Sequence, residues 1–347
     1  AVSKRPCRNL DPFLCGKEWV IDSFKSYGGS ADFALIEGVM GLFDGIGSSS
    51  EGSTASLANF LKLPIVLVVD ARGQAASLGA LVKGFRDQDP NLDLAGVVLN
   101  HVNSLRHKIL LKEVLEDIGV RIMGCLPSDP QLNLKSRHLG LAPAHEIEEL
   151  EKRIESWASI AEKNLDLKTF EKVLKADKKI NLPVNPIIKV RSEESHLNLR
   201  PVAIAEDKAF HFRYPETKEY LEKLGMPCLK WKPIEDEPIP KEAKGLILPG
   251  GFPEQYAEQL SNCQRSIEGI RSFFGHRPIY AECGGMLILG ESLSDLNGKK
   301  YAMAGLLPFD AKKGALKVGY RKIKAKINSL ITNKGDELIG HEFHRWE

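Results

Sequence analysis

Cys283 lies where a short apolar segment meets two glycines, in the sequence PIYAECGGM. The segment predicts a buried strand, and the glycines allow the sharp turn into a helix that exposes a nucleophile at a sheet edge. The partial positive charge at the start of that helix would favour the thiolate, the form that attacks a carbonyl carbon. A buried, unreactive cysteine is the alternative for this residue type. Two further segments favour the reactive thiol.

The first is GLILPGGFPE, in which a predicted buried strand ends at Pro249, Gly250 and Gly251. Without side chains in the way, backbone N–H groups of the two glycines can turn toward an anion and form an oxyanion hole. A plain Gly-Gly turn is the alternative. Because this loop lies one α/β unit before Cys283, both should end at the same sheet edge.

The second segment is GHEFHRWE, which offers His341 and His344 as general bases. A histidine can take the proton of the thiol and later protonate the leaving ammonia. A surface histidine without a catalytic role is the alternative for each.

Apolar runs alternate with amphipathic segments along the chain, and this alternation predicts mainly parallel α/β sheets with flanking helices. The expected strands of the first half are FALIE (33–37), PIVLVVD (64–70), AGVVLN (95–100) and RIMGCLP (121–127). Those of the second half are PVAIAED (201–207), GLILPGG (245–251) and PIYAE (278–282). Helices are expected at 77–87, 107–119, 145–164, 215–224 and 264–275.

The fold class is therefore α/β with two domains, and the chain of 347 residues is long enough for both. We expect a first domain at residues 1–165 and a second at 200–347. Residues 166–199 are rich in Lys, Asn, Pro and Glu with little periodicity, and we expect a linker there.

Charge and composition exclude several classes of partner. Forty-eight basic and 46 acidic residues give a net charge of +2, without the basic and aromatic clusters of a nucleic-acid groove. The apolar runs, such as 65–69, are far shorter than the roughly 20 residues that cross a bilayer. Six scattered cysteines without a C-x-x-C pair favour a reducing, cytoplasmic setting over a disulfide framework or a zinc site.

The order of the Gly-Gly loop, the cysteine turn and the late Phe-His resembles the class I, or triad, glutamine amidotransferases. By this resemblance Cys283 matches the nucleophile, His344 the base, and Gly250 with Gly251 the oxyanion and glutamine-binding loop. His341 lies outside the match. The usual third member is a Glu two residues after the histidine, where this chain has Trp346, followed by Glu347.

Longer motifs in both halves are similar to the cobyrinate a,c-diamide synthase family of cobalamin biosynthesis. In the second half these are AEDKAFHFRYPE, LPGGFPEQYAEQL, PIYAECGGM, GYR and GHEFH. In the first half they are NLDPF, IEGVMGLFDG, GSTASLANFL, LVVDARGQAASLGALVKGF, GVVLNHV and SRHLGL, which are similar to the ATP-binding domain of that family. The resemblance covers nearly the whole chain.

The resemblance implies a ligase that uses ATP and Mg²⁺ to amidate the a and c acetate carboxylates of cobyrinate, or of hydrogenobyrinate, through an acyl phosphate. Glutamine supplies the ammonia. Glu37 matches the Mg²⁺-ligand position and Asn100 the position that contacts the adenine edge. A plain strand-end carboxylate and a helix-capping Asn are the alternatives. Asp44 and Asp70 are further carboxylates that could bind Mg²⁺ through water, and we rank them below Glu37.

The phosphate-binding sequence G-x-x-x-x-G-K-[ST] does not occur in the chain. The segment GSSSEGST (47–54) has the glycine spacing but Ser53 where the Lys should stand, so we interpret it as a chance match. In the family this loop lies on the first strand. We therefore expect that residue 1 falls inside the ATP-binding domain and that the second domain is truncated soon after His344.

Two other functions are alternatives, and the first of them has nearly the same motifs. A nickel-sirohydrochlorin a,c-diamide synthase shares the chemistry and differs in the ring it binds. A non-catalytic protein of the partition-ATPase type would account for the missing Lys, although the turn at Cys283 argues against it. The expected partners are small molecules: the corrinoid, glutamine and ATP. A homodimer is one assembly compatible with the sequence.

Overall fold

The computed structural model describes residues 5, 7–29, 31–134, 144–175 and 199–347. They fall into two compact units, one within residues 10–187 and the other within residues 188–347. Residues 7–9 belong to the second unit. No helix in these ranges is long and apolar enough to cross a membrane. The SRHLGL motif at 136–141 lies outside the described residues.

The first unit contains a three-stranded parallel sheet in the order β1-β2-β3. Its helices and strands, in chain order, are α1 (Pro12–Cys15), α2 (Lys17–Gly28), α3 (Thr54–Leu61), β1 (Ile65–Asp70), α4 (Ala76–Asp87), β2 (Leu94–Asn100), α5 (Leu105–Asp117), β3 (Ile122–Cys125), α6 (Leu150–Asn164) and α7 (Leu167–Leu174). Short 3-10 turns occur at Pro130–Leu132 and Ala144–Glu146. The alternation of strand and helix confirms the parallel α/β prediction for this half.

Buried aliphatic side chains fill the space between this sheet and helices α4 and α5. Leu78, Leu99, Leu111 and Leu115 are fully buried there. The strands end side by side, because Asp70 pairs in register with Asn100, and Leu99 pairs with Cys125. Polar residues that follow these strands therefore share one edge of the sheet.

The predicted strand FALIE is wrong. Only Phe33 forms a bridge, to Lys175, and the rest of the segment is irregular. The Ala34 N–H donates to the Leu174 carbonyl at the end of α7 instead of to a strand. Leu35 is 84% exposed, so the apolar run does not contribute a buried sheet position. A strand needs a neighbour that pairs with its backbone groups, and periodicity alone does not reveal one.

Helix α7 lies inside the segment 166–199 that we expect to be a linker. Asp166 caps the start of this helix, and its carboxylate accepts hydrogen bonds from the N–H and the hydroxyl of Thr169. Residues 176–198 lie outside the described part of the chain. The limits of the linker and of the two domains stay predictions.

The second unit contains a four-stranded parallel sheet in the order β5-β4-β6-β7, a small three-stranded sheet and a long hairpin. Its elements are β4 (Val202–Ala205), α8 (Pro215–Lys223), β5 (Cys228–Trp231), β6 (Gly245–Leu248), α9 (Ala257–Asn262), α10 (Gln264–Phe273), β7 (Ile279–Ala281), α11 (Gly284–Leu287), β8 (Ser292–Ser294), β9 (Lys300–Ala302), β10 (Asp310–Ala311), β11 (Lys313–Lys324) and β12 (Glu337–Trp346). Short 3-10 helices occur at Pro233–Glu235 and Pro253–Tyr256. All three predicted strands of this half form.

The core of the second unit packs on one face of the four-stranded sheet. Phe210, Trp231, Leu248 and Ile270 are fully buried in it. Residue Trp346, at the end of the hairpin, is also buried there, and its indole N–H donates to the Ser294 carbonyl at 2.9 Å. This contact fixes the end of β12 against the rest of the second unit, which also carries Cys283.

Candidate active site

Cys283 occupies a strained turn between β7 and α11, with φ 46° and ψ −120°. A positive φ is uncommon for a residue with a side chain, and surrounding hydrogen bonds must stabilise it. The Glu282 N–H donates to the Leu248 carbonyl at 3.0 Å, and the Gly285 N–H donates to the Glu282 carbonyl at 2.8 Å. This is the geometry predicted for a nucleophile at a strand-to-helix turn.

The two glycines after Cys283 are needed because the turn packs tightly on the loop that follows β6. A Cβ on Gly284 would lie 2.7 Å from Pro253 Cδ and 2.8 Å from the Gly251 carbonyl oxygen. A Cβ on Gly285 would overlap the Leu248 carbonyl oxygen. The nucleophile turn and the Gly-Gly loop therefore form one packed body.

Gly250 and Gly251 lie directly beside the nucleophile. A Cβ on Gly250 would lie 3.4 Å from Cys283 Cβ, and a Cβ on Gly284 would lie 3.1 Å from the Gly251 nitrogen. The Gly284 N–H lowers the pKa of the Cys283 thiol. The Gly251 nitrogen and Gly284 thus lie side by side next to the nucleophile residue, where an oxyanion hole needs its donors.

The pKa of the Cys283 thiol is raised above its ordinary value. Cys283 is exposed as a residue. Desolvation of the thiol is nevertheless the largest cause of the raised pKa, and the charges of Glu254 and Glu282 raise it further, whereas the Gly284 N–H lowers it. The Gly284 N–H at the helix start therefore acts in the predicted direction, but desolvation outweighs it. Helix α11 has only four residues, too short for a strong dipole. Cys283 needs a base.

His344 lies on β12, opposite Lys317 of β11. Its Nδ1 lies 3.0 Å from the Trp346 carbonyl oxygen, and since that oxygen can only accept, Nδ1 carries the proton of the neutral ring. Nε2 is then the basic nitrogen. Among the described residues, no hydrogen bond joins this ring to the Cys283 thiol.

His341, the alternative base, packs differently. Its ring contacts Tyr320 edge to face, with centroids 5.0 Å apart.

Trp346, which stands in the place of the family's third triad member, is in the core and carries no carboxylate. The Glu347 carboxylate forms an ion pair with Lys317 at 2.5 Å. Lys317 lowers its pKa most strongly, and His344 contributes to the same lowering. Glu347 therefore interacts electrostatically with His344.

Glu254 is a candidate functional residue that the sequence analysis did not single out. It is only 4% exposed, and desolvation raises its pKa to about 7. It follows Pro253, which contacts the nucleophile turn, and its charge raises the pKa of Cys283. The signal in the sequence was its position three residues after Gly251, in the motif PGGFPE.

In the first unit, Asn100 ends β2 beside Asp70. Its Oδ1 accepts from the His101 N–H at 3.0 Å, and Ser104, not Asn100, caps helix α5. The capping alternative for Asn100 is therefore wrong. Asp70 forms an ion pair with Arg72 at 2.6 Å, which together with other Arg72 hydrogen bonds lowers the pKa of Asp70 to about 2.

Glu37 is exposed in the irregular segment before α3, not at the end of a strand. The adjacent Gly38 approaches the start of α3, since a Cβ there would lie 2.7 Å from Thr54 Oγ1. Asp44 accepts from the Gly41 N–H at 2.9 Å. Within the described ranges no three His, Cys, Asp or Glu side chains converge as a metal-binding group. Mg²⁺ in nucleotide sites takes one or two carboxylates with phosphate oxygens and waters, so a single exposed carboxylate such as Glu37 fits that ion.

Comparison with known proteins agrees with this division of the chain. Residues 201–346 match a family described as the CobB/CobQ-like glutamine amidotransferase domain, and residues 15–136 match an AAA domain. A cobyrinate a,c-diamide synthase of Caldanaerobacter subterraneus subsp. tengcongensis is 39% identical over 342 residues, 97% of this chain and 74% of that protein.

Two further relatives cover the chain to a similar extent. A cobyrinate a,c-diamide synthase of Syntrophotalea carbinolica is 39% identical over 350 residues, 99% of this chain and 75% of that protein. A hydrogenobyrinate a,c-diamide synthase of Mesorhizobium japonicum is 37% identical over 317 residues, 90% of this chain and 71% of that protein. With this identity across both units, the chain belongs to the cobyrinate a,c-diamide synthase family of glutamine-dependent ligases.

Proposed function

We propose that this protein amidates the a and c acetate carboxylates of cobyrinate or hydrogenobyrinate, using ATP and ammonia released from glutamine. The observation that carries the proposal is the strained turn at Cys283, packed against the Gly250–Gly251 loop. The names of the relatives supply the substrate class.

In the glutaminase half, His344 takes the proton of the Cys283 thiol, and the sulfur attacks the carboxamide carbon of glutamine. The N–H groups of Gly251 and Gly284 stabilise the resulting oxyanion. Collapse of this intermediate expels ammonia, with a proton from His344, and leaves a thioester on Cys283. Water hydrolyses the thioester to glutamate and restores the thiol. The raised pKa of Cys283 supports the need for a base.

In the synthetase half, an acetate carboxylate attacks the γ-phosphorus of ATP and gives an acyl phosphate and ADP. Ammonia attacks the acyl carbon, and phosphate leaves as the amide forms. We propose that Asn100 contacts the adenine edge and that the exposed Glu37 holds Mg²⁺, which offsets the charge of the phosphates when bound.

The test is a Cys283→Ala substitution in this protein, assayed with cobyrinate, Mg-ATP and either glutamine or an ammonium salt. Glutamine-dependent amidation should disappear while ammonia-dependent amidation persists, because the synthetase site needs only ammonia. Equal loss of both activities in a folded variant would contradict the assignment of Cys283.

A further inference from the structure

The segment Asp207–Phe212, which follows β4, contacts the Gly250–Gly251 loop. Two backbone hydrogen bonds join them: the Phe212 N–H donates to the Gly250 carbonyl, and the Phe252 N–H donates to the Ala209 carbonyl, each at 3.0 Å. A Cβ on Gly251 would overlap the Ala209 carbonyl oxygen. The Asp207–Phe212 segment therefore fixes the conformation of the Gly250–Gly251 loop.

The bond to the Gly250 carbonyl also fixes a direction. In a planar trans peptide the C=O of one residue and the N–H of the next point opposite ways. Because the Gly250 C=O points at Phe212, the Gly251 N–H points away from that segment. Gly251 is buried, and among the described residues its N–H has no backbone acceptor. A buried donor without an acceptor beside a nucleophile is available to a developing oxyanion.

The Asp207 side chain holds the segment in place. Its Oδ1 accepts from the N–H groups of Ala209 and Phe210, at 2.8 and 3.1 Å. Its Oδ2 accepts from the Ile234 N–H at 2.9 Å, which ties the segment to the 3-10 helix Pro233–Glu235. Ala209 and Phe210 are fully buried, so the segment has little freedom while these bonds persist.

We propose that Asp207 is a positioning residue of the glutaminase reaction, which acts through the Asp207–Phe212 segment to aim the Gly251 N–H at the oxyanion. This inference rests on the proposed glutaminase function. The hydrogen bonds of the Asp207 carboxylate go to Ala209, Phe210 and Ile234, and none of them goes to Cys283. Substitution of Asp207 should weaken binding of the transition state and leave the reactivity of the thiol unchanged.

The test compares Asp207→Asn with a matched control, Asp295→Asn. Asp295 makes the same kind of bonds, from the N–H groups of Asn297 and Lys299 at 2.8 and 2.9 Å, in the exposed turn between β8 and β9. In Asp207→Asn the kcat for glutamine hydrolysis should fall roughly 10- to 100-fold, less than the loss of a whole oxyanion donor. The KM for glutamine should stay within about twofold. Asp295→Asn should behave as the unsubstituted protein.

A second measurement separates positioning from general damage. The aldehyde analogue of glutamine adds to a thiol and forms a tetrahedral adduct that needs the oxyanion hole, whereas alkylation by iodoacetamide needs only the thiol. Asp207→Asn should weaken inhibition by the aldehyde about tenfold or more and leave the alkylation rate of Cys283 within about twofold.

Three results would overturn the inference: an unchanged kcat, unchanged inhibition by the aldehyde, or alkylation that slows in parallel with hydrolysis. Cys283→Ala, measured beside these variants, separates this inference from the proposed function. If Cys283→Ala still hydrolyses glutamine, the proposed function fails. If it is inactive while Asp207→Asn is fully active, only the role of Asp207 fails.

Discussion

At the scale of single residues, Cys283 has an exposed position and strained backbone but a thiol whose pKa is raised. Such a thiol is mostly protonated near neutral pH and attacks slowly by itself. The reaction therefore depends more on a general base than it would if a helix stabilised the thiolate. The hydrogen bond from Nδ1 of His344 to the Trp346 carbonyl leaves Nε2 as the nitrogen that can take a proton in that role.

His344→Ala should lower the glutaminase kcat by ~10²-fold or more, on the scale of a lost general base. His341→Ala is the matched control on the same strand, and its effect should be much smaller, because that ring packs on Tyr320. Steady-state hydrolysis of glutamine measures both. A larger loss in His341→Ala would show that His341 is the base.

Glu254 should make the stability of the second unit depend on pH. Burial raises its pKa from 4.5 to about 7, so its stabilising contribution is complete below pH 4.5 and is lost as pH rises through 7. A shift of this size corresponds to about 3 kcal/mol at most. The free energy of unfolding in urea should therefore fall between about pH 4.5 and 7, and Glu254→Gln should remove that part of the decrease.

The exposed Glu258 of α9 offers the control for this experiment, since Glu258→Gln should leave the pH dependence unchanged. If Glu254→Gln keeps the full decrease in stability, Glu254 does not titrate near neutral pH.

At the scale of elements, the site depends on how closely α11 approaches the end of β6. Gly285→Ala should destabilise the second unit by about 1–3 kcal/mol, as overpacking does, because its Cβ would overlap the Leu248 carbonyl oxygen. Gly340→Ala on β12 should be nearly neutral, since nothing lies within 4 Å of its Cβ position. Urea unfolding followed by fluorescence compares the two. Equal stability of both variants would show that α11 does not lie this close to the end of β6.

Much of this arrangement could be predicted from sequence, because buried parallel strands are continuous apolar runs bounded by Gly, Pro and Asp. The strands before Asp70, Asn100, Gly250 and Cys283 were predictable on that ground. FALIE was not, because a strand also needs a partner that an apolar run does not reveal. The raised pKa of Cys283 and the burial of Glu254 were not predictable either, since desolvation depends on packing between distant segments.

At the scale of the whole molecule, the two units carry the two half-reactions, and the first unit should bind nucleotide weakly as the sequence stands. The phosphate-binding sequence G-x-x-x-x-G-K-[ST] does not occur in residues 1–347, and residues 47–54 have only its glycine spacing. Each missing charge-assisted contact costs roughly 1.5 to 3 kcal/mol. Two or three such losses amount to several powers of ten at ~1.4 kcal/mol per decade. Calorimetric titration of this chain with Mg-ATP should show no micromolar binding; a micromolar Kd would place the nucleotide on a different loop.

The central claim, that Cys283 is the glutaminase nucleophile, is tested most directly by covalent labelling. The chain is incubated with 6-diazo-5-oxo-L-norleucine, a reactive analogue of glutamine, and the modified peptide is identified by mass spectrometry. Cys7 and Cys15, which are also exposed, serve as internal controls for unselective reaction. The account predicts a single adduct on Cys283, prevented by excess glutamine and absent in Cys283→Ala. Equal labelling of Cys7 or Cys15, or no labelling of the folded protein, would contradict it.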